Sequence, residues 1–327
     1  MASLTTRIFA GIFLSVLLCA LYAPEALSFD DDALGWELLE RANTAYYSGD
    51  HAVAVPLYIE SHEAGNLDAT YSLGVVYEAG FGVSPDLSIA ATYYREASER
   101  GHSSARSNLG RMYLQGLGVE RDDAEAARLF ALSAQQNSPL GITNLGVCYL
   151  TGRGVEVDQA RGLELLNEGA RLRNVSAQVT LGDIHQFGEL VPQDYGAAIE
   201  FYRAAAEQGH IRARYNLGVM YERGRGAPID NSAAVRHYLI SAEAGHRMAQ
   251  HNLSRMLANG LGIDRDYLDA LYWAERSRAG GFAPAEALVE QLRARVSAAE
   301  QIEVDRRLGE PEVLPWNPFA SSMIDTE

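Results

Sequence analysis

The sequence predicts an all-α fold, an α-solenoid of antiparallel helix pairs with a 36-residue repeat. Three observations predict it. Leu73, Leu109, Leu145, Leu181, Leu217 and Leu253 recur every 36 residues, and a fixed period of this size is the signature of stacked repeats. Behind them runs a glycine pair: Gly80/Gly82, Gly116/Gly118, Gly152/Gly154, Gly224/Gly226 and Gly260/Gly262, with Gly188 and Leu190 in the one copy that departs. An unbroken acid column then follows: Asp86, Asp122, Asp158, Asp194, Asp230 and Asp266.

Taken in chain order, residues 1–28 read as a secretory signal peptide. Arg7 precedes a nearly apolar run from Ile8 to Ala23, and Ala26-Leu27-Ser28 offers a small-x-small cleavage site. The alternative fate is an N-terminal membrane anchor, but the run is shorter than the ~20 residues that span a bilayer. Residues 29–66 form a first helix pair. Residues 67–282 hold the six units, 67–102, 103–138, 139–174, 175–210, 211–246 and 247–282. Within each unit, Ala69, Leu73 and Tyr77 stand at i, i+4 and i+8 on one helix face. Gly74 beside Leu73 leaves room for a neighbouring helix, and Gly80 ends the first helix in the left-handed conformation. Asp86 caps the second helix, whose buried stripe is Ala90, Tyr94 and Ala97. Residues 283–308 should form a terminal capping helix or helix pair. Residues 309–327 are rich in proline and read as a disordered tail, with Trp316 and Phe319 as its docking-type residues.

Charge and chemistry exclude several classes. Forty-three acids against 27 bases, all of them Arg, give a net charge of -16. Such a chain is a poor partner for nucleic-acid backbones and anionic membranes, which require basic patches. Of Cys19 and Cys148, the first lies in the leader, so no internal disulfide is expected; Cys148 reads as a small buried hydrophobe. Gly224-Arg225-Gly226 resembles a phosphate-binding loop in composition. It lies between two helices rather than after a strand, and it recurs in other units, so it reads as helix punctuation. No cofactor or metal site is expected. His185 replaces a Tyr of the column and reads as a hydrogen-bonded core residue. His102, His210 and His246 recur at one inter-unit turn as a packing habit, and Asn174-Val175-Ser176 matches a glycosylation pattern.

The columns "A-x-x-x-L-G-x-x-Y-x-x-G-x-G-V-x-x-D" and "A-x-x-x-Y-x-x-A-A-E-Q-G", clearest in AAIEFYRAAAEQGH (197–210), resemble the Sel-one-like repeat, a branch of the tetratricopeptide-like superfamily. Residues 29–66 are similar to a tetratricopeptide-like unit. The resemblance implies a protein–protein interaction scaffold or adaptor that is not an enzyme. Its partner would be another protein or peptide, and its setting envelope signalling or assembly outside the cytoplasm, in the periplasm or secreted. A hydrolase built on the repeats and a polysaccharide-secretion or cell-envelope scaffold are the alternatives. Some relatives carry a cysteine pair in each repeat and are linked to β-lactam binding; this chain lacks those cysteines.

In this superfamily the first helices line the concave face, which makes their variable columns the candidate partner-binding residues. Two positions before each Leu stand Tyr71, Ser107, Thr143, Val179, Tyr215 and His251. Two positions after stand Val75, Arg111, Val147, Asp183, Val219 and Arg255. The position just before the Leu is Asn108, Asn144, Asn216 and Asn252. These amides, with Arg111 and Arg255, could hold an extended peptide, or the Asn column could bridge adjacent repeats. Both readings stay open on sequence alone.

Overall fold

The computed structural model describes residues 29–309; the expected leader at 1–28 with Cys19, and residues 310–327 of the expected tail with Trp316 and Phe319, lie outside the described residues. Those described form sixteen helices and no strand. They divide into two compact units, one ending at His102 and one starting at Ser103. The first unit holds α1 (Phe29–Tyr47), α2 (His51–Glu63), α3 (Leu67–Ala79) and α4 (Leu87–Glu99). In the second, the helix pairs are α5 (Ser103–Gln115) with α6 (Asp123–Ala134) and α7 (Pro139–Thr151) with α8 (Gln159–Arg171). Next come α9 (Val175–Phe187) with α10 (Tyr195–Glu207) and α11 (Ile211–Arg223) with α12 (Asn231–Glu243). The last are α13 (Arg247–Asn259) with α14 (Tyr267–Ala279), then the terminal α15 (Ala285–Arg293) and α16 (Ala298–Gly309).

Helix ends are set by side chains at fixed places in the repeat. Every Asp of the acid column caps its second helix: Asp86 accepts from the backbone N–H of Ser88 and Ile89, and Asp194 from that of Ala197. Asp122, Asp158, Asp230 and Asp266 do the same. Each carboxylate satisfies donors that the helix cannot pair itself. Asp194→Ala should therefore lower stability by about 1 kcal/mol, read as a shifted urea midpoint.

First helices have caps of their own, one residue ahead of each unit's helix. Asn66, Ser138 and Asn174 accept from the N–H three residues on. His210 and His246 serve in the same place through Nδ1, accepting from Ala213 and Ala249 at 3.1 and 3.2 Å. Of the recurring histidines, His210 and His246 are thus caps as well as packing residues, and the sequon residue Asn174 is the cap of α9.

The core is a ring-in-groove device repeated along the chain. A Cβ placed on Gly74 would lie 2.5 Å from the Tyr94 ring, on Gly182 2.5 Å from Tyr202, and on Gly218 2.6 Å from Tyr238. Tyr94, Tyr202 and Tyr238 are fully buried there. In α13 the glycine becomes Ser254, and the facing ring position becomes Ala274. The Ser254 hydroxyl then donates to the Ala270 carbonyl at 2.6 Å.

A second column varies in step with the rings. Tyr94 donates to Glu78 at 2.9 Å, Tyr238 to Glu222 at 2.7 Å, and Tyr202 to Gln186 at 3.0 Å as well as Asp183 at 2.6 Å. Where the facing residue has no hydroxyl, the same position is apolar: Leu114 against Phe130, Leu150 against Leu166, and Ala258 in the cluster of Ala274. A buried hydroxyl without an acceptor is costly, so donor and acceptor appear and disappear together.

The glycine pair has two separate jobs. Gly224 closes α11 with φ +64°, a left-handed helix end. Gly226, with φ +75°, sits where any Cβ would run into the Tyr195 backbone at the start of α10. The residue between the glycines reaches the same place: Arg225 lies over the Tyr195 ring at 5.5 Å, and Arg153 pairs with Asp123 at 3.2 Å. In the first unit Phe81 stacks on His51 with centroids 5.0 Å apart. The G-x-G loop is a clamp between consecutive repeats.

Candidate functional site

The column two residues before the repeat Leu belongs to the packing rather than to an open surface. Ser107, Thr143 and Val179 are buried. The Ser107 hydroxyl meets that of Ser133 at 2.8 Å, and the Thr143 hydroxyl donates to the Pro139 carbonyl at 2.7 Å. The remaining members pack on neighbouring rings: Tyr71 stacks on His102 at 4.5 Å, Tyr215 lies tilted against His246 at 4.7 Å, and His251 meets Phe282 edge-on at 5.2 Å. Small side chains here face small neighbours and rings face rings. The column's variety comes from compensated packing, and Ser107, Thr143 and Val179 are closed to a partner in this structure.

The other two columns are half-buried and share one stripe of each first helix. In α11 that stripe is Arg212, Asn216, Val219 and Arg223, at i, i+4, i+7 and i+11. Its outer members were missed by reading only the columns beside the Leu, although helical spacing from Asn216 and Val219 points straight to them. Phe187, at the same outer place on α9, is 60% exposed.

Within the stripe the asparagines are not equivalent. Asn216 hydrogen-bonds the Tyr202 hydroxyl of the preceding repeat, and Asn252 that of Tyr238. Asn252 therefore completes a chain in which Tyr238 donates to Glu222 and Glu222 pairs with Arg255. Asp183 accepts from Tyr202 and pairs with Arg212 at 3.4 Å. These residues bridge adjacent repeats, and the bridging supports the second of the two readings for Asn216, Asn252 and Arg255. Arg111 on α5 hydrogen-bonds Gln115 at 3.5 Å, and Asn108 beside it is half-buried. Asn144 differs: the ring at the equivalent place behind it is Phe130, which has no hydroxyl to offer. Among the described residues, the Asn108 and Asn144 side chains have no hydrogen-bond partner, and Val75 of the first unit, Val147 and Val219 are apolar members of the same columns.

The titratable residues singled out in the sequence are packed into the repeats. His185 stacks on Phe201 at 5.5 Å, and its buried Nδ1 has no hydrogen-bond partner among the described residues, so the hydrogen bond expected for this histidine is not made at that nitrogen. Phe201 offers a flat face and no acceptor. Cys148 is buried, and burial pushes its thiol up to about 11. Among the described residues no group of three or more His, Cys, Asp or Glu is placed to hold a metal ion.

Buried histidines tie stability to pH. Burial holds His237 and His251 below the ordinary imidazole range, and the arginines around them act in the same direction. The unfolded chain takes up these protons near pH ~6.5, while the folded chain takes them up only at lower pH. Between those values the unfolded state holds more protons, so this stability is complete above pH ~6.5 and is lost as the pH falls toward the folded values. His237→Phe, which copies Phe201, should flatten the fall in melting temperature between about pH 7.5 and 5.5.

Comparison with known proteins places this architecture. The Sel1 repeat model matches residues 67–102, 103–138, 139–174, 175–210, 211–246 and 247–282. The chain belongs to the Sel1 repeat family, a class of helical scaffold that generally mediates protein–protein interaction and is typically non-enzymatic. It is similar to a Sel1 repeat protein from Oxalobacter formigenes, with 29% identity and a TM-score of 0.66 over 74% of this chain and 99% of that one. It is also similar to c5321, a protective antigen of uropathogenic Escherichia coli with an SLR fold, at 28% identity and a TM-score of 0.64 over 84% of this chain. That match spans 62% of the length of c5321. No curated protein matches the chain. No helix among the described residues is long and apolar enough to cross a membrane.

Proposed function

We propose that this chain is an exported adaptor that holds another protein, or an extended segment of one, along the first-helix face of its repeats. The observation that carries the reading is the stripe around Asn144, Val147 and Val219. It is half-exposed, and its polar and apolar groups are not consumed by the bridges that tie Asn216, Asn252 and Arg255. An extended peptide offers backbone donors and acceptors that an unengaged amide such as Asn144 can pair, while Val147 and Val219 give apolar contact. The face follows the tetratricopeptide-like expectation of a concave binding surface. The signal-like sequence pattern of residues 1–28 supports work outside the cytoplasm, in envelope signalling or assembly.

A carbohydrate scaffold would need open aromatic platforms. Tyr71 and Tyr215 are instead engaged with His102 and His246, which disfavours that alternative. The test is quantitative copurification from periplasmic and membrane fractions with wild type and an Asn144→Ala, Val147→Glu variant. The variant should melt as wild type does and lose about tenfold or more of the stoichiometric partner. Unchanged capture by the folded variant would sink the reading, and retention of glycan in place of protein would favour the polysaccharide scaffold.

A further inference from the structure

In the fifth repeat the column that holds His237 breaks its pattern. The place held by His237 is Tyr93, Leu129, Leu165, Phe201 and Trp273 in the other units, all aromatic or apolar. The His237 ring lies flat against Tyr221, with centroids 5.6 Å apart and planes at 7°, and its buried Nδ1 has no hydrogen-bond partner. Arg203 reaches the Tyr221 hydroxyl from the preceding repeat at 3.4 Å. Arg214 is seven residues before Tyr221, on the same side of α11 and roughly opposite the Arg212–Asn216–Val219–Arg223 stripe. Arg203, Arg214 and Arg236 all act electrostatically on His237, and no carboxylate is among the groups that do.

Neutralisation explains why this group stands out. On the other second helices an arginine finds its acid three residues away: Arg128 with Glu125, Arg161 with Glu164, Arg203 with Glu200. Three residues either side of Arg236 stand Ala233 and Leu239, and neither Arg236 nor Arg214 has an ion-pair partner among the described residues. Beside Arg236 on the outer face of α12, Leu239 and Ile240 are 37% and 42% exposed. Two arginines without an ion-pair partner among the described residues, beside an Arg203 that keeps Glu200, therefore sit with apolar neighbours on a chain of net charge -16.

We propose that Arg203, Arg214 and Arg236, grouped around the Tyr221–His237 ring pair, form a second contact surface. It takes the carboxylates of an acidic protein segment, and Leu239 and Ile240 receive the apolar side chains of that segment. Guanidinium forks match carboxylates in geometry. The compactness of the cluster and the acidity of the rest of the chain suit a short acidic peptide and oppose a long polyanion such as nucleic acid. The surface lies on the opposite side of α11 from the first-helix stripe. It extends the adaptor reading but does not use the residues on which that reading depends.

Fluorescence anisotropy on the full chain tests it, with a labelled octapeptide of alternating Asp and Leu, its Asn/Leu counterpart, and oligothymidine. The acidic peptide should bind saturably and weaken as salt rises from roughly 50 to 300 mM. The Arg214→Gln, Arg236→Gln pair should weaken it about tenfold at unchanged melting temperature. Arg236→Glu alone, at an exposed position that cannot disturb the core, should weaken it as well. Asn144→Ala with Val147→Glu should leave it unchanged. The proposal is overturned by absent binding, by equal affinity for the neutral peptide, by arginine variants that bind as wild type does, or by oligothymidine binding more tightly than the peptide. Loss through Asn144 and Val147 alone would overturn this surface and leave the first-helix reading intact.

Discussion

Gly226→Ala should destabilise the repeat array by about 2–4 kcal/mol, a large effect for adding one methyl group. Two costs add. The residue holds φ +75°, in the left-handed region, which costs an L-residue roughly 1–2 kcal/mol. Its new Cβ would also run into the Tyr195 backbone, and backbone at the start of a capped helix cannot rotate away as a side chain could. The clamp would open or α10 would shift, disturbing the stack between the fourth and fifth repeats. Gly245→Ala is the matched control. It shares the positive φ, +89°, but a Cβ there meets nothing within 4 Å. Its loss should be confined to the roughly 1–2 kcal/mol backbone term. Urea unfolding of both variants separates strain from collision, and equal losses would remove the collision from the explanation.

Tyr238→Ala should cost more, about 3–5 kcal/mol, because a fully buried ring leaves a cavity against Gly218. The more informative change is Tyr238→Phe. It keeps the ring and removes the hydroxyl that donates to Glu222 and accepts from Asn252, for an expected loss of about 1–3 kcal/mol. Phe130→Tyr makes the converse error. It places a hydroxyl beside Leu114 in place of a Glu acceptor and leaves it only the Asn144 amide, so a loss of about 1 kcal/mol is expected. Glu222→Leu should make Tyr238→Phe nearly neutral, as it is where Phe130 already faces Leu114. A double-mutant cycle showing no coupling between residues 222 and 238 would refute the paired-column account.

The fold was legible because each of its devices is written in a column. Leu73 and its repeats mark the core, Asp86 and its repeats the caps, and Gly80 and its repeats the helix ends. The structure adds what a column cannot say, namely which columns touch. Gly226 read as a turn residue because the backbone of Tyr195, against which it presses, belongs to the preceding unit. The coordinated exchange of Tyr238 with Glu222 and of Phe130 with Leu114 was present in the sequence. It could be seen only by pairing positions 16 residues apart across the loop.

The candidate site was less legible for a related reason. Variation at Ser107, Thr143 and Val179 looked like tuning to a partner. It reflects local exchange between small and large packing neighbours, so variability alone did not separate surface from interior. The Asn column followed the repeat pattern at four places, yet Asn216 and Asn252 serve Tyr202 and Tyr238 while Asn144 has a phenylalanine behind it. Only the identity of the ring in the preceding repeat distinguishes them. The histidines were ambiguous in the same way: His210 and His246 cap helices, whereas His185 and His237 stack on rings.

The central claim is that the first-helix stripe holds a partner protein, and site-specific photocrosslinking tests it most directly. A benzophenone side chain would be placed at Asn144, at Val147 and at Val219, and, as the comparison, at Glu164, an exposed residue of the second helix α8. The account predicts one discrete protein adduct, formed from all three stripe positions in the native compartment and absent from Glu164. Equal adducts from Glu164, or none from the stripe while a partner still copurifies, would contradict it.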